Sequence, residues 1–417
     1  MANIFPFQPY RYTSQAGPLQ NLVTQPYDKI SPAMQRHYLE ASPYNLVRVI
    51  LGPRKPGDNE SENVYTRATR TMQEWISSGV WARDAAPGMF AYFQEFVVPD
   101  TGERLVRKGF IALGQVEEYA AGIVFRHEQT LSGPKKDRME LLKHTRTHFE
   151  PIFMLYPDPS GAIDALLDEA AAAPPIAEVT DEYGAIHRMW KVGAGAQIQQ
   201  LMADKKLLIA DGHHRYETAM AFQRDHPHLP GASRMIMAFV NMHSAGLKIL
   251  ATHRLVSGIG DRAVTAGFLA AASRDFEVRE IASLDYLKAA WAASGDRSII
   301  GAAIGDKLYQ LEDRTAPHGA LNVLGALDVR ILHEGLLGKA LGIGEEAVRD
   351  EKHLRYIRGI DLAVEEVRKG GAQIAFLLKP TSVRQVADTS FSGGVMPQKS
   401  TDFYPKLLSG MVMYKLD

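Results

Sequence analysis

The chain contains no cysteine. That absence excludes disulfides, thiolate metal sites, a cysteine nucleophile and iron–sulfur ligation together. An excess of one charge is also missing: 47 Lys and Arg stand against 48 Asp and Glu, a formal net charge of -1. So balanced a chain has no general pull toward a polyphosphate backbone, and nucleic acid is not an expected partner. No run approaches the ~20 apolar residues that span a bilayer, and the opening "MANIFPFQPYRYTSQAG" lacks a basic stretch followed by an apolar one. The expectation is a cytoplasmic protein with no membrane partner. Two nucleotide signatures are absent as well, since no G-x-x-x-x-G-K-[ST] occurs and no G-x-G-x-x-G opens a helix after a strand. Any nucleotide must be held another way.

What is present is ordinary globular material, 46% hydrophobic and 23% charged over 417 residues, enough for about two to three domains. The segments read as a mixed α/β fold: an N-terminal α/β region over 1–120, a core over 121–260, a smaller α/β domain over 261–390, and a tail over 391–417 that folds back onto the core. A short helix is expected over 32–40, a strand at "NLVRVIL" (45–51), and an amphipathic helix from Val64 with Ala68, Met72, Trp75 and Ile76 on one face. "MFAYFQEFVVP" and "RLVRKGFIALGQV" flank "DTGE" as a hairpin. Further strands are expected at "IFMLYPD", "HRMWKV", "RMIMAFVNM" and "LKILATHRLV", with helices over 162–173 and 194–204.

The most informative stretch is "LLIADGHHRYETAMAF" (207–222). Leu207 to Ala210 form a buried-strand run, and Tyr216, Ala219, Met220 and Gln223 recur on one helical face. Residues 211–215 therefore sit at a helix start, where backbone N–H groups lack partners and the dipole favours an anion. Gly212 allows close approach to the backbone, His213 and His214 can donate to phosphate oxygens, and Arg215 offers a forked permanent charge. Asp211 suits a magnesium ion, the orientation of a histidine or the acceptance of a proton. The plainer reading makes Asp211 a helix cap with solvated neighbours. Zinc fits poorly, because adjacent histidines on a helix diverge by about 100°.

"IADGHHRYETA" resembles the phosphate-binding string of the fold shared by partition protein B and sulfiredoxin. Over its whole length, from "PYDKIS" through "RHEQT" and "GPKKDRMELL" to "MPQKSTDFYPKLLSG", the chain resembles the domain of unknown function 1015 family, which is labelled partition-protein-like. Free serine kinases are similar in carrying a D-G-H-H-R-like string. The resemblance implies a nucleotide-binding core in which Gly212, His214 and Arg215 hold phosphates, with ATP, ADP or CTP and magnesium as cofactors. His213 stands where sulfiredoxin has its catalytic cysteine, so sulfinic-acid repair is excluded.

Phosphoryl transfer calls for further basic and hydroxyl groups around such a cradle. In "RHEQTLSGPKKDR" a second anion site is expected at the helix start beside Pro134, with Glu128 or Asp137 as general base or magnesium ligand and Arg138 on phosphate; the alternative is a solvated helix start. In "MPQKSTDFYPK", Lys399, Ser400, Thr401 and Lys406 resemble a phosphate clamp, and Asp402 stands where the family has an aromatic residue. Tyr27 and Asp28 of "QPYDKIS" could hold a substrate ammonium or simply stabilise a turn. His253 and Arg254 either face the same cleft or, as such a pair more often does, form a solvated strand end. The function expected is a nucleotide-dependent phosphotransferase for a small hydroxylated metabolite, a free amino acid such as serine being the first candidate, with Asp211, His213 and Glu128 as catalytic groups. The rivals are a partition-protein-like nucleotide switch, a regulator without turnover, and a metal-dependent hydrolase.

Overall fold

The computed structural model describes residues 2–128, 130, 132–260, 262–295, 297–314 and 327–416. The chain is mixed α/β, as the sequence leads one to expect, and divides into two compact units. The first comprises 1–126, 130–247 and 405–417; the second comprises 127–129 and 248–404.

In the first unit, nine strands among the described residues form one sheet. They are β1 (Ile4–Phe5), β2 (Met89–Val97), β3 (Arg104–Gln115), β4 (Val124–Phe125), β5 (Ile152–Tyr156), β6 (Ala177–Thr180), β7 (Ile186–Val192), β8 (Leu207–Asp211) and β9 (Arg234–Asn241). Their order is β4–β8–β5–β9–β3–β2–β7–β6, with β1 beside β3. Every residue of β5 is buried, as are the first four of β8, which is why these strands read as unbroken apolar runs rather than alternating ones. On one face, Ile163 and Leu167 of α5 (Ala162–Ala171), Ile198 and Met202 of α6 (Gly195–Met202) and Tyr216, Ala219 and Met220 of α7 (His213–Asp225) join one core cluster with the sheet. A second cluster gathers Leu46, Val49, Met72, Trp75, Trp81 and Phe149.

The helix α1 (Pro32–Ala41) starts at a Ser31 cap, and α3 (Val64–Ser77) at an Asn63/Thr66 capping box. Between them "NLVRVIL" is not the expected strand: Val47–Ile50 is a helical turn, α2. The Asn45 side chain accepts from Val47 N–H at 2.9 Å, a local bond that overrides the β preference of the valines. The helix α4 (Ser132–Thr145) follows β4 and takes Pro134 into its first turn.

In the second unit, β10 (His253–Val256), β11 (Phe276–Ile281), β12 (Ile299–Ile304), β13 (Lys307–Asp313), β14 (Leu354–Ile357) and β15 (Ile374–Leu377) form a sheet in the order β11–β13–β12–β15–β10–β14. "LKILATHRLV" is thus two strands, not one. Lys248–Ile249 pairs with Phe403–Tyr404, whereas His253–Val256 pairs with β14 and β15. His253 and Arg254 are not a solvated strand end either, being 3% and 1% exposed. Arg254 donates to the Lys399 carbonyl at 2.9 Å, and His253 Nδ1 accepts from Leu378 N–H at 3.2 Å. Asp328–Ile331 is α-helical and runs into π-helical turns over Leu332–Ala340. No described helix is long and apolar enough to cross a membrane.

Candidate functional site

The strand β8 ends at a register shift between Ile209 and Asp211 against β5, and such a bulge re-aims the side chains that follow it. Gly212 then takes φ 101° at the N-cap of α7, without a side-chain cap. A Cβ there would meet the side-chain tips Ile152 Cδ1 at 2.8 Å and Arg215 Nη2 at 3.0 Å, which can shift, so it is the positive φ that calls for glycine. The Arg215 guanidinium folds back over this glycine. Its Nη1 donates to the Pro151 carbonyl at 2.8 Å, its Nη2 to Asp211 Oδ2 at 3.3 Å, and its Nε lies 3.7 Å from Glu150 Oε2. The other oxygen of Asp211 accepts from Lys406 Nζ at 2.8 Å.

This is a shielded network, with side-chain exposures of 11% for Arg215, 8% for Lys406 and 20% for Asp211. Burial opposes the charge on Asp211, but Lys406, Arg215 and Lys29 outweigh it and hold the carboxyl below its ordinary range. Burial likewise disfavours the Arg215 cation, yet Glu150, Asp211 and Asp28 raise its pKa. Arg107, 1% exposed, donates through Nε to Gln94 Oε1 at 2.9 Å. Burial lowers it to about 9 against the pull of Tyr92 and Asp211.

Glu150 joins the network to the front of the chain, since its Oε1 accepts from Tyr27 N–H and from Ser409 Oγ, each at 2.9 Å. The Tyr27 ring lies 4.1 Å under the Arg138 guanidinium. Burial first, and Asp28 and Glu150 after it, push the Tyr27 phenol up, against Arg138 and Arg215. Arg138 donates to the Ile50 carbonyl at 2.9 Å and pairs with its neighbour Asp137. A small cavity of about 40 Å³ is bounded by Arg138, His148, Glu150 and Arg215 among others. Burial, then Arg215, hold His148 down at about 4, so it faces the two guanidiniums as a neutral ring at pH 7.

A basic recess lies along the same helix α7. Arg126, Lys135, Lys136, Arg224 and Tyr119 line it around Glu217. Glu217 accepts from Thr130 Oγ1 at 2.5 Å, Lys135 Nζ at 3.0 Å and Arg126 Nη1 at 3.1 Å. Burial opposes its charge, but these donors hold its carboxyl below the usual range. One carboxylate thus organises a surplus of cations.

The structure therefore brings together Tyr27, Arg138, Asp211, Gly212, Arg215 and Lys406, with Asp28 in electrostatic reach of Arg215. His213, 6% exposed, occupies the first position of α7 and His214 the second. Glu128, Lys399, Ser400 and Thr401 belong to the second unit. There Glu128 Oε1 is 3.4 Å from Lys399 N, Thr401 Oγ1 is 2.7 Å from His127 Nε2, and Ser400 Oγ donates to the Pro397 carbonyl at 2.6 Å. Asp402 is paired with Arg358. Sequence reasoning missed Glu150, Arg107, His148 and Lys29. Only Arg107 leaves a trace, an arginine inside the strand run "RLVRKGFIALG" that is buried while its neighbours Val106 and Lys108 are not.

Among the described residues, no three His, Asp or Glu side chains converge as a metal cage. Asp211 has each oxygen held by a cation, so as a magnesium ligand it would have to release Lys406 or Arg215.

Comparison with known proteins gives no match among curated sequences. Solved structures give distant likenesses. A conserved hypothetical protein from Pyrococcus furiosus is 17% identical, with a TM-score of 0.37 over 70% of this chain and 92% of that one. A free serine kinase in complex with AMP is 16% identical, with a TM-score of 0.37 over 69% and 89%. SbnI with a C-terminal truncation, from Staphylococcus aureus, is 11% identical, with a TM-score of 0.36 over 72% and 85%. Likenesses this remote say nothing of shared activity. The family described as "Protein of unknown function (DUF1015)" matches residues 4–330, and the chain belongs to that family.

Proposed function

We propose that the first unit binds a nucleotide, ATP, ADP or CTP, with its phosphates at the Gly212–Arg215 turn, and that the chain moves phosphate to or from a small hydroxylated metabolite. A free amino acid such as serine is the first acceptor to try. One observation carries this reading: Arg138, Arg215, Lys406 and Lys29 gather at a glycine-opened helix start against the carboxylates of Asp211 and Glu150. Phosphoryl transfer is chiefly positioning and charge neutralisation, and both are served by cations already fixed in place. The likeness of "IADGHHRYETA" to the phosphate-binding string of partition protein B and sulfiredoxin supports it.

In this reading Arg215 and Lys406 exchange carboxylate for phosphate. The cations that keep Asp211 ionised also make it a weak base. It gains basicity, and could accept the acceptor hydroxyl's proton, only when a phosphate draws Lys406 or Arg215 away. Magnesium would arrive with the nucleotide's own phosphates, because the Asp211 oxygens are already engaged. The basic recess around Glu217 offers cations for the rest of the nucleotide's charge.

The test is phosphorus NMR of the protein with magnesium and ATP, ADP or CTP in the presence of L-serine and other hydroxylated metabolites. A new phosphomonoester that vanishes in Arg215→Ala supports transfer. Nucleotide that binds but never passes its phosphate to any acceptor would replace the enzyme by a binding switch.

A further inference from the structure

The first unit holds a second recess, a cavity of about 360 Å³, lined by Thr24, His37, Tyr38, Thr180, Asp181 and Glu182 among others. Its charge differs in sign from that of the basic recess. Asp181 is nearly buried, with 1% of its side chain exposed. The donors to this acidic pair carry no positive charge. Gln25 Nε2 reaches Asp181 Oδ2 at 3.3 Å and Glu182 Oε2 at 2.9 Å, the Tyr38 hydroxyl donates to Glu182, and the N–H groups of Tyr183 and Ala185 donate to Asp181 Oδ1, each at 2.9 Å. His187 Nε2 lies 3.2 Å from Asp181 Oδ2, and burial holds that imidazole below its ordinary range, hence neutral at pH 7. Among the described residues no Lys or Arg pairs with either carboxylate.

Thr24 supplies an independent observation. It lines the recess and is 1% exposed, and its Oγ1 meets no hydrogen-bond partner among the described residues. Its backbone is fully used, donating to Ser409 at 3.2 Å and accepting from Ser409 at 2.9 Å. A buried hydroxyl left unbonded costs free energy that a ligand could recover. The shielded Asp181 carboxylate is held by neutral dipoles, with the exposed Glu182 next to it, and a cationic ligand would bring the counter-charge that no described Lys or Arg supplies. The recess also has apolar walls, from Val23, Ala41, Val179 and Leu408. A volume of this order is that of a small-molecule site.

We propose that this recess binds a small organic amine, its ammonium taken by Asp181, Glu182 and the Thr24 hydroxyl, and its short aliphatic stem by the apolar wall. An ammonium has three N–H donors and no acceptor, which matches three oxygen acceptors. A guanidinium is a poorer match, since its planar fork calls for coplanar acceptors. The site is separate from the phosphate cradle in residues and in charge, so it does not depend on the function proposed above.

The experiment is isothermal titration of the full chain with putrescine, a diamine, and with 1,4-butanediol, its neutral counterpart, in the absence of nucleotide. Saturable binding of putrescine with a silent diol is expected. Glu182→Gln, which keeps an oxygen for Tyr38, weakens putrescine by at least about tenfold. Thr24→Val removes a hydroxyl that bonds nothing among the described residues, keeps the fold and weakens putrescine by about threefold or more. Absence of saturable putrescine binding, equal binding of the diol, or unchanged affinity in Glu182→Gln overturns the proposal. Should Glu182→Gln fail to fold, unchanged affinity in Thr24→Val does the same.

Discussion

Asp211→Asn changes one atom and tests the network at its centre. In the wild type Asp211 faces Lys406 at 2.8 Å and Arg215 at 3.3 Å. At an effective dielectric constant of ~20 these attractions amount to about 6 and about 5 kcal/mol. Most of that is offset by several kcal/mol of desolvation for each ion, and breaking a shielded pair typically costs about 3–5 kcal/mol. The low end applies, because the Asp211 side chain keeps 20% exposure and asparagine retains one acceptor. A loss of about 3 kcal/mol in the stability of the first unit is expected. Urea denaturation followed by tryptophan fluorescence reads it, since Trp75, Trp81 and Trp190 lie in the first unit and Trp291 in the second. The same substitution removes a negative charge from an anion site. In EDTA, ADP should therefore bind about tenfold more tightly although the protein is less stable. A variant within about 0.5 kcal/mol of wild type would deny that the network is strongly coupled. Loss of ADP affinity in EDTA would deny that Asp211 opposes the phosphates.

Gly212→Ala places a Cβ 2.8 Å from Ile152 Cδ1 at φ 101°, and should cost about 2–3 kcal/mol and weaken nucleotide binding together, read by thermal melting and calorimetry. His253 gives a pH signature in the second unit. Burial and Arg254 hold it at about 4 against an ordinary 6.5, so protons bind the unfolded chain first. The stability it contributes is whole above pH 6.5 and falls, by up to about 3 kcal/mol, as pH drops toward 4. His333, held at about 3 by burial and Arg254, adds a slope of the same sign. His253→Asn, which keeps an acceptor for Leu378 N–H, should flatten the urea-midpoint profile over that window, and an unaltered slope would refute the assignment. Lys135→Ala with Arg126→Ala strips two of the donors to Glu217 and should weaken ADP binding and reduce its salt dependence. A salt dependence equal to that of wild type would remove the basic recess from the nucleotide site.

The strand-to-helix seam at 207–225 was legible because three signals coincide there: an unbroken apolar run, a glycine, and an apolar face that resumes at helical spacing. The hairpin over 89–115 and the helix from Val64 were legible for similar reasons, one through its turn residues and the other through the spacing of Val64, Ala68, Met72 and Trp75. "NLVRVIL" was misread because β-branched residues signal a strand, whereas Asn45 bonds its own neighbours and closes a helical turn. Glu150 could not be read from "HFEPIF", because its partners Tyr27, Arg215 and Ser409 come from three distant parts of the chain. His253 and Arg254 misled for the converse reason. Polar residues at a strand end look solvated until a second strand and the Lys399 carbonyl cover them.

The central claim is that the turn from Asp211 to Arg215 receives a phosphate. Calorimetric titration of ADP into the wild-type chain and into Arg215→Ala is its most direct test, with far-UV circular dichroism confirming that the variant is folded. The account expects saturable binding by the wild type and a loss of more than about tenfold in the folded variant. Equal affinity in the two proteins would contradict it.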